Sequence, residues 1–277
     1  MAADKFTVQS FRAAKAEKRP ISMLTAYDYT TACLLDEAGV DSILVGDSLG
    51  MVMLGYENTL RVTMDEMIHH TRAVARGTRK ALLIGDMPFL SYHVSVEEAV
   101  RNAGRFIQDG GAEAVKLEGG AAVVEKVRAI VKAQIPVLGH LGLTPQSVNV
   151  FGGFKVQGKD VAAARNLLDD ALLLQDAGAF GIVLECVPDT LAGLIRQRLD
   201  IPTIGIGAGP DCDGQVLVIQ DLLGLYRRMR PKFVKTYADL GDAAVAAVKN
   251  YVQEVAQGQF PAAEHSFHMD ARLLEQL

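Results

Sequence analysis

Apolar and polar positions along this chain repeat as a pair of segments. An amphipathic stretch closes on glycine, a short apolar run follows, and the run ends in an acid. Ile43, Leu44 and Val45 form such a run after Gly39 and lead to Asp47. The same order recurs from Gly77 to Asp86, from Gly111 to Glu118 and from Gly178 to Glu185. Glycine just past a helix suits the left-handed position that ends many helices. Short apolar runs bounded by turn residues read as buried strands. The repeating unit is therefore helix, short loop and parallel strand, with a carboxylate at the strand's carboxyl end.

Taken in order, the pattern predicts strands at 21–28, within 41–51, and at 81–89, 114–119, 136–143, 181–187, 202–209 and 232–237. A helix around 30–38 ends at Gly39. Thr63 with Glu66, and Ser95 with Glu98, are capping-box pairs that open helices running to about Arg76 and Asp109. Further helices are predicted up to about Lys132, from Val161 to Gly178, and after Pro188-Asp189. The segment 214–225 is ambiguous and is read as a helix capped by Asp213, which leaves KFVKTY as the eighth strand. Residues 239–257 are alanine-rich and helical. Eight strand–helix alternations predict a (β/α)8 barrel, one domain over residues 1–277 with a short N-terminal segment and a C-terminal helical tail. A doubly wound open sheet is the alternative. Both folds bind ligands at the carboxyl ends of their strands. The barrel accounts better for eight units without a dinucleotide fingerprint.

The chain has 277 residues, enough for one large core, and 49% of them are hydrophobic. A net charge of −5 with no basic stripe argues against a nucleic-acid partner. The three cysteines, Cys33, Cys186 and Cys212, are scattered, which points to a reducing compartment and to neither a disulfide framework nor a zinc knuckle. No apolar run is long enough to span a bilayer, and MAADKFTVQSFRAAKAEKRP lacks the apolar core of a signal peptide.

The acids change the picture. Strand alternation puts Lys116 and Glu118 on one face of their strand and Val115 and Leu117 on the other. In a barrel the polar pair points into the mouth. It is either an ion pair that plugs the barrel or a lysine held beside a metal and a developing oxyanion. Asp47, Asp86 and Glu118 end three adjacent strands, and oxygen ligands that leave positions open suit Mg2+. Alternation groups Asp47 with Ile43 and Val45, and Ser48 with Leu44 and Gly46. Glu185 stands farther round the rim, where apolar surroundings would raise its pKa and suit it to a general base. Cys186 points to the opposite face and is not expected to be a nucleophile. His140 could reach the site from the fifth strand, although a lone histidine there is more often simply hydrogen-bonded. His69 and His70 fall within a helix. GIGAG at 205–209 is a weak anion-site signal, because Pro210 stands where a third glycine would be.

TAYDY, LVGDSLGM, VKLEGG, GHLGLTPQSVNVFGG, LECVP, IGIGAG and the terminal EHSFH together resemble the ketopantoate hydroxymethyltransferase family. The likeness runs over about residues 5–268 and leaves MDARLLEQL outside it. It implies a (β/α)8 barrel of the phosphoenolpyruvate/pyruvate superfamily, forming a cytoplasmic homo-oligomer, commonly a decamer. It implies transfer of a one-carbon unit from 5,10-methylenetetrahydrofolate to 3-methyl-2-oxobutanoate. Carried over residue by residue, it implies Mg2+ ligands at Asp47, Asp86 and Glu118. The implied oxo-acid contacts are Asp47, Ser48, Asp86 and Lys116, and the implied proton acceptor is Glu185. The folate is expected to approach under the loop 142–158. A lyase of the same superfamily would share the metal and oxo-acid site and need no folate. A barrel kept only for assembly would be expected to lose the ionisable rim residues, and none is missing.

Overall fold

The computed structural model describes residues 5–277. Eight parallel strands close into a barrel in sequence order. They are β1 Ile21–Thr25, β2 Ser42–Val45, β3 Leu82–Asp86, β4 Ala114–Glu118, β5 Val137–Gly142, β6 Gly181–Glu185, β7 Thr203–Ile206 and β8 Gly214–Leu217. β1 pairs with β8, so the sheet has no edge and the open-sheet alternative is excluded. Most strands end a few residues earlier than the apolar runs suggested, because the runs continue into the rim loops.

Strand eight is a correction. KFVKTY forms no strand. The strand is Gly214–Leu217, inside the segment read as a helix. β8 offers little hydrophobic signal, since its pattern is Gly-Gln-Val-Leu. Gly214 makes it possible, because a Cβ there would lie 2.4 Å from the Ile21 carbonyl oxygen and 2.6 Å from Ile204 Cδ1. KFVKTY carries apolar residues for another reason: Phe233 packs onto the backbone of Gly207, just past β7, and Val234 is buried.

Local chemistry explains the other elements. Gly39, Gly111 and Gly178 take left-handed backbone angles after their helices, as expected. Gly77 does not. It is the last residue of the helix Met64–Gly77, where a Cβ would meet the Tyr29 carbonyl oxygen at 2.7 Å. Thr63 and Glu66 form the full reciprocal capping box, whereas Ser95 only accepts from the Glu98 N–H. Leu44, Ile84, Ala114, Leu138, Val183 and Ile204 fill the barrel as one buried cluster. Phe11, on the helix Val8–Ala16, joins that cluster and meets Phe180 edge-on at 5.1 Å.

The described residues divide into two compact units. One runs through Ile219 and includes Pro231–Val234; the other comprises Gln220–Arg230 and Lys235–Leu277. The second contains the helix Leu240–Ala256, as the alanine-rich segment suggested. Among the described residues no helix is long and apolar enough to cross a membrane.

Asp213, read from sequence as a helix cap, instead anchors the start of β8. It is buried, and its Oδ2 accepts from the Thr203 N–H at 2.9 Å and from Lys15 Nζ at 3.0 Å. Arg196 Nε donates to its Oδ1 at 2.7 Å. Burial would raise this carboxyl's pKa, but the bonds from Arg196, Thr203 and Lys15 overcome burial and hold it below the ordinary value. A depressed carboxyl stabilises the fold above its unfolded pKa and loses that contribution as pH falls through the folded one. Asp213→Ala should therefore lower stability by about 3 kcal/mol at neutral pH, the low end for breaking a buried pair, because Arg196 is partly exposed. In denaturant titrations the deficit should shrink below about pH 4, near the unfolded carboxyl pKa. A pH-independent deficit would rule out the charge as its cause.

Candidate active site

Alternation along the strands builds most of the site. In β3 and β4 the residues Ile84 and Ala114 belong to the interior cluster, so Asp86, Lys116 and Glu118 share its inward parity. Leu138 and Val183 likewise put His140 and Glu185 on the inward face of β5 and β6. The register sets Asp86 beside Lys116, Glu118 beside His140, and Gly142 beside Glu185.

Asp47 arrives by another route. Leu44 lies in the barrel interior, so strict alternation would turn Asp47 outward with Ile43 and Val45. β2 ends at Val45, and the chain then turns into the short helix Leu49–Val52. The turn frees Asp47 from the pleat and brings it to the mouth, where its N–H donates to Asp86 Oδ2 at 3.1 Å. Ser48 follows it, with its hydroxyl 2.8 Å from that of Tyr27.

Asp47, Asp86, Lys116, Glu118 and His140 are all at most 4% exposed. Lys116 Nζ lies 2.7 Å from Asp86 Oδ1 and 3.2 Å from His140 Nδ1. Glu118 Oε1 is 3.6 Å from His140 Nδ1, and Glu185 Oε2 is 3.3 Å from His140 Nε2. His140 thus joins the lysine–acid cluster to Glu185. Sequence reasoning had left it as a possibility, and the signal was its inward parity on β5.

Three buried carboxylates outnumber the cations available to them. Burial, then the Asp86 and Glu118 charges, raise the Asp47 carboxyl well above its ordinary range. Burial also raises Asp86, against the pull of Lys116. Burial alone would depress Lys116, but Asp86, Glu118 and Asp47 together raise it, so it stays charged. Burial and the Lys116 charge oppose protonation of His140, yet Glu118 and Glu185 bring its pKa up to about 9. Burial opposes ionisation of Glu118, which His140 and Lys116 nevertheless hold below its ordinary value. Burial and the Glu185 charge push the Cys186 thiol up to about 11, leaving it protonated and a poor nucleophile.

The donor set bears on a divalent cation. Among the described residues no three His, Cys, Asp or Glu side chains close into a metal cage. Mg2+ does not require one, since it keeps several waters and takes one or two carboxylates along with substrate oxygens. Surplus buried negative charge and a Glu118 Oε1 with no hydrogen-bond partner fit such an ion. Asp47 and Glu118 are the acids freest to hold it, because Asp86 is engaged by Lys116.

The GIGAG glycines serve packing. A Cβ at Gly207 would strike the Phe233 ring at 2.8 Å, and one at Gly209 would strike Asp189 at 2.4 Å. A cavity of about 270 Å3 lies between the ends of β4 and β5, the loop after β5 and the helix Val161–Asp176, lined by Gly119, Gly142, Phe151, Asn166 and Asp170.

Comparison with known proteins places the chain in a family. A family model described as ketopantoate hydroxymethyltransferase matches residues 5–263. A protein of Acetivibrio thermocellus is 61% identical over 274 residues, covering 99% of this chain and 97% of that protein. One of Clostridium novyi is 60% identical over 273 residues, covering 99% of each. Both carry the name 3-methyl-2-oxobutanoate hydroxymethyltransferase. Among solved structures, phosphonopyruvate hydrolase superposes with a TM-score of 0.62 at 14% identity, covering 97% of this chain and 94% of that one. A 2,3-dimethylmalate lyase, described as a PEP mutase/isocitrate lyase superfamily member, superposes at 0.58 with 15% identity, covering 97% and 93%. These structural likenesses establish the barrel type alone. The match over nearly the whole length of the chain is what decides the family: the chain belongs to the ketopantoate hydroxymethyltransferases, enzymes of pantothenate biosynthesis.

Proposed function

We propose that this enzyme takes its one-carbon unit from 5,10-methylenetetrahydrofolate and joins it to C3 of 3-methyl-2-oxobutanoate, consuming water and giving 2-dehydropantoate and tetrahydrofolate. The observation that carries the reading is the buried cluster of Asp47, Asp86, Lys116 and Glu118, with Glu185 held apart from it by His140. In this reading Asp47, Ser48, Asp86 and Lys116 contact the oxo acid, Asp47, Asp86 and Glu118 hold Mg2+, and Glu185 is the base. Mg2+, when bound, supplies Lewis acidity that stabilises negative charge on the keto oxygen.

The chain's own residues do the rest. The C3 proton is weakly acidic because the adjacent ketone can accept the electron pair as an enolate. Glu185 takes that proton. Lys116 places a permanent positive charge, in a water-poor setting, where the enolate oxygen develops. The folate's methylene carbon is bonded to two nitrogens, and both bonds break: the enolate carbon replaces one and the oxygen of water replaces the other. The C3 proton and one proton of the water end on the two nitrogens of the departing tetrahydrofolate. We place the folate under the loop 142–158, beside the 270 Å3 cavity.

The direct test is product formation from 3-methyl-2-oxobutanoate with methylenetetrahydrofolate and Mg2+ each omitted in turn. Omitting either should abolish turnover, and chelation should be reversible by added Mg2+. Turnover of the oxo acid without folate would instead support a lyase-type reaction. Full activity in metal-free buffer would end the metal part of the reading.

A further inference from the structure

We infer that Gln146 is a positioning residue that fixes how Asp47 and Glu118 present their oxygens to the ion, an inference that rests on the Mg2+ reading above. Gln146 lies in the turn Pro145–Ser147, just beyond β5, and is buried. Its backbone N–H donates to Glu118 Oε2 at 3.0 Å. Its Nε2 donates to Asp47 Oδ2 at 2.9 Å and to the Met87 carbonyl at 3.0 Å. Its Oε1 accepts from the Tyr92 hydroxyl at 2.7 Å.

The orientation of this amide is not open. A carboxylate and a backbone carbonyl only accept, so the NH2 group must face Asp47 and Met87. The Tyr92 oxygen already takes the Glu118 backbone N–H at 3.2 Å, and its single proton serves Gln146. One residue from the loop after β5 thus grips two acids carried by other elements. It holds each by one oxygen, and in Glu118 the second oxygen has no hydrogen-bond partner. A lysine or arginine in this place would also bind both acids, but it would neutralise the charge a cation needs. A neutral amide orients them without that competition. Hydrogen-bonding partners of metal ligands typically govern affinity by about 10–100-fold.

The test uses Gln146→Leu, which keeps the bulk and the backbone bond to Glu118 but removes every side-chain bond. Mg2+ alone is titrated calorimetrically into the wild type and the variant, without substrate, and thermal unfolding is recorded for both. The expected result is a Mg2+ Kd weakened by about 10–100-fold in folded protein, with kcat largely recovered at saturating Mg2+. A purely structural role would lower Tm and leave the Kd of the folded variant unchanged, and that result would overturn the inference. If Gln146→Leu does not fold, Tyr92→Phe removes the hydroxyl that holds the amide oxygen, along with that hydroxyl's contact to the Glu118 backbone, and leaves both acid side chains in place. Several-fold weaker Mg2+ binding is then expected, and an unchanged Kd again overturns the inference. A wild type that takes up no Mg2+ would sink the metal reading and the inference together. Normal wild-type binding with equal Kd values sinks the inference alone.

Discussion

Glu185→Gln should still bind the oxo acid and Mg2+, yet lose turnover by about 10²–10⁴-fold, the usual worth of a positioned base. Glutamine is nearly the same size and can still hydrogen-bond, but it cannot accept a proton. The side chain is suited to the role by position. It ends β6 on the inward parity, keeps 16% of its surface exposed, and has His140 Nε2 3.3 Å from its Oε2. The acids of the proposed metal cluster are far more enclosed and already engaged. Deprotonation can be observed apart from carbon transfer. With enzyme and Mg2+ but no folate, the C3 hydrogen of 3-methyl-2-oxobutanoate should exchange with deuterated water. Glu185→Gln should slow that exchange by the same factor as turnover. Exchange at the wild-type rate would show that Glu185 is not the base and would make His140 the next candidate.

Lys116→Ala should lower kcat by about 10²–10³-fold as well as weaken oxo-acid binding, because its charge matters most when the oxyanion forms. A rise in KM with kcat unchanged would reduce Lys116 to a ground-state contact. The same substitution probes the alternative of a structural plug, since it leaves Asp86 without its 2.7 Å partner in a buried setting. The sign of the pH dependence helps separate the two. Burial already raises the Asp47 and Asp86 carboxyls, so the folded variant binds protons more readily than the unfolded chain. Its stability should therefore rise as pH falls. A variant that folds normally at neutral pH but has lost kcat supports the catalytic role. One that folds only in acid supports the plug.

Much of this site was legible because strand geometry is local. Two-residue alternation suffices to place Asp86, Lys116, Glu118 and Glu185 inward once Ile84, Ala114 and Val183 are recognised as core. The capping pair Thr63–Glu66 and the left-handed glycines after three helices are local in the same sense. Asp47 was selected for the right acid pattern, but alternation alone would have buried it beneath the helices with Val45. Only the early end of β2 brings it to the mouth.

Sequence by itself therefore determined the alternation of strands and helices, the barrel class, and which acids end which strands, since each follows from the spacing of neighbouring residues. Tertiary structure alone decided which segment closes the barrel. β8 is defined by what its neighbours leave room for, a gap that Gly214 fits and that leaves almost no hydrophobic pattern to read. It also decided that Asp213 ties Lys15, Arg196 and Thr203 together instead of capping a helix. And it decided the place of Gln146, because an amide's role depends on donors and acceptors that reach it from Asp47, Met87, Tyr92 and Glu118, residues that no local spacing in the chain brings together.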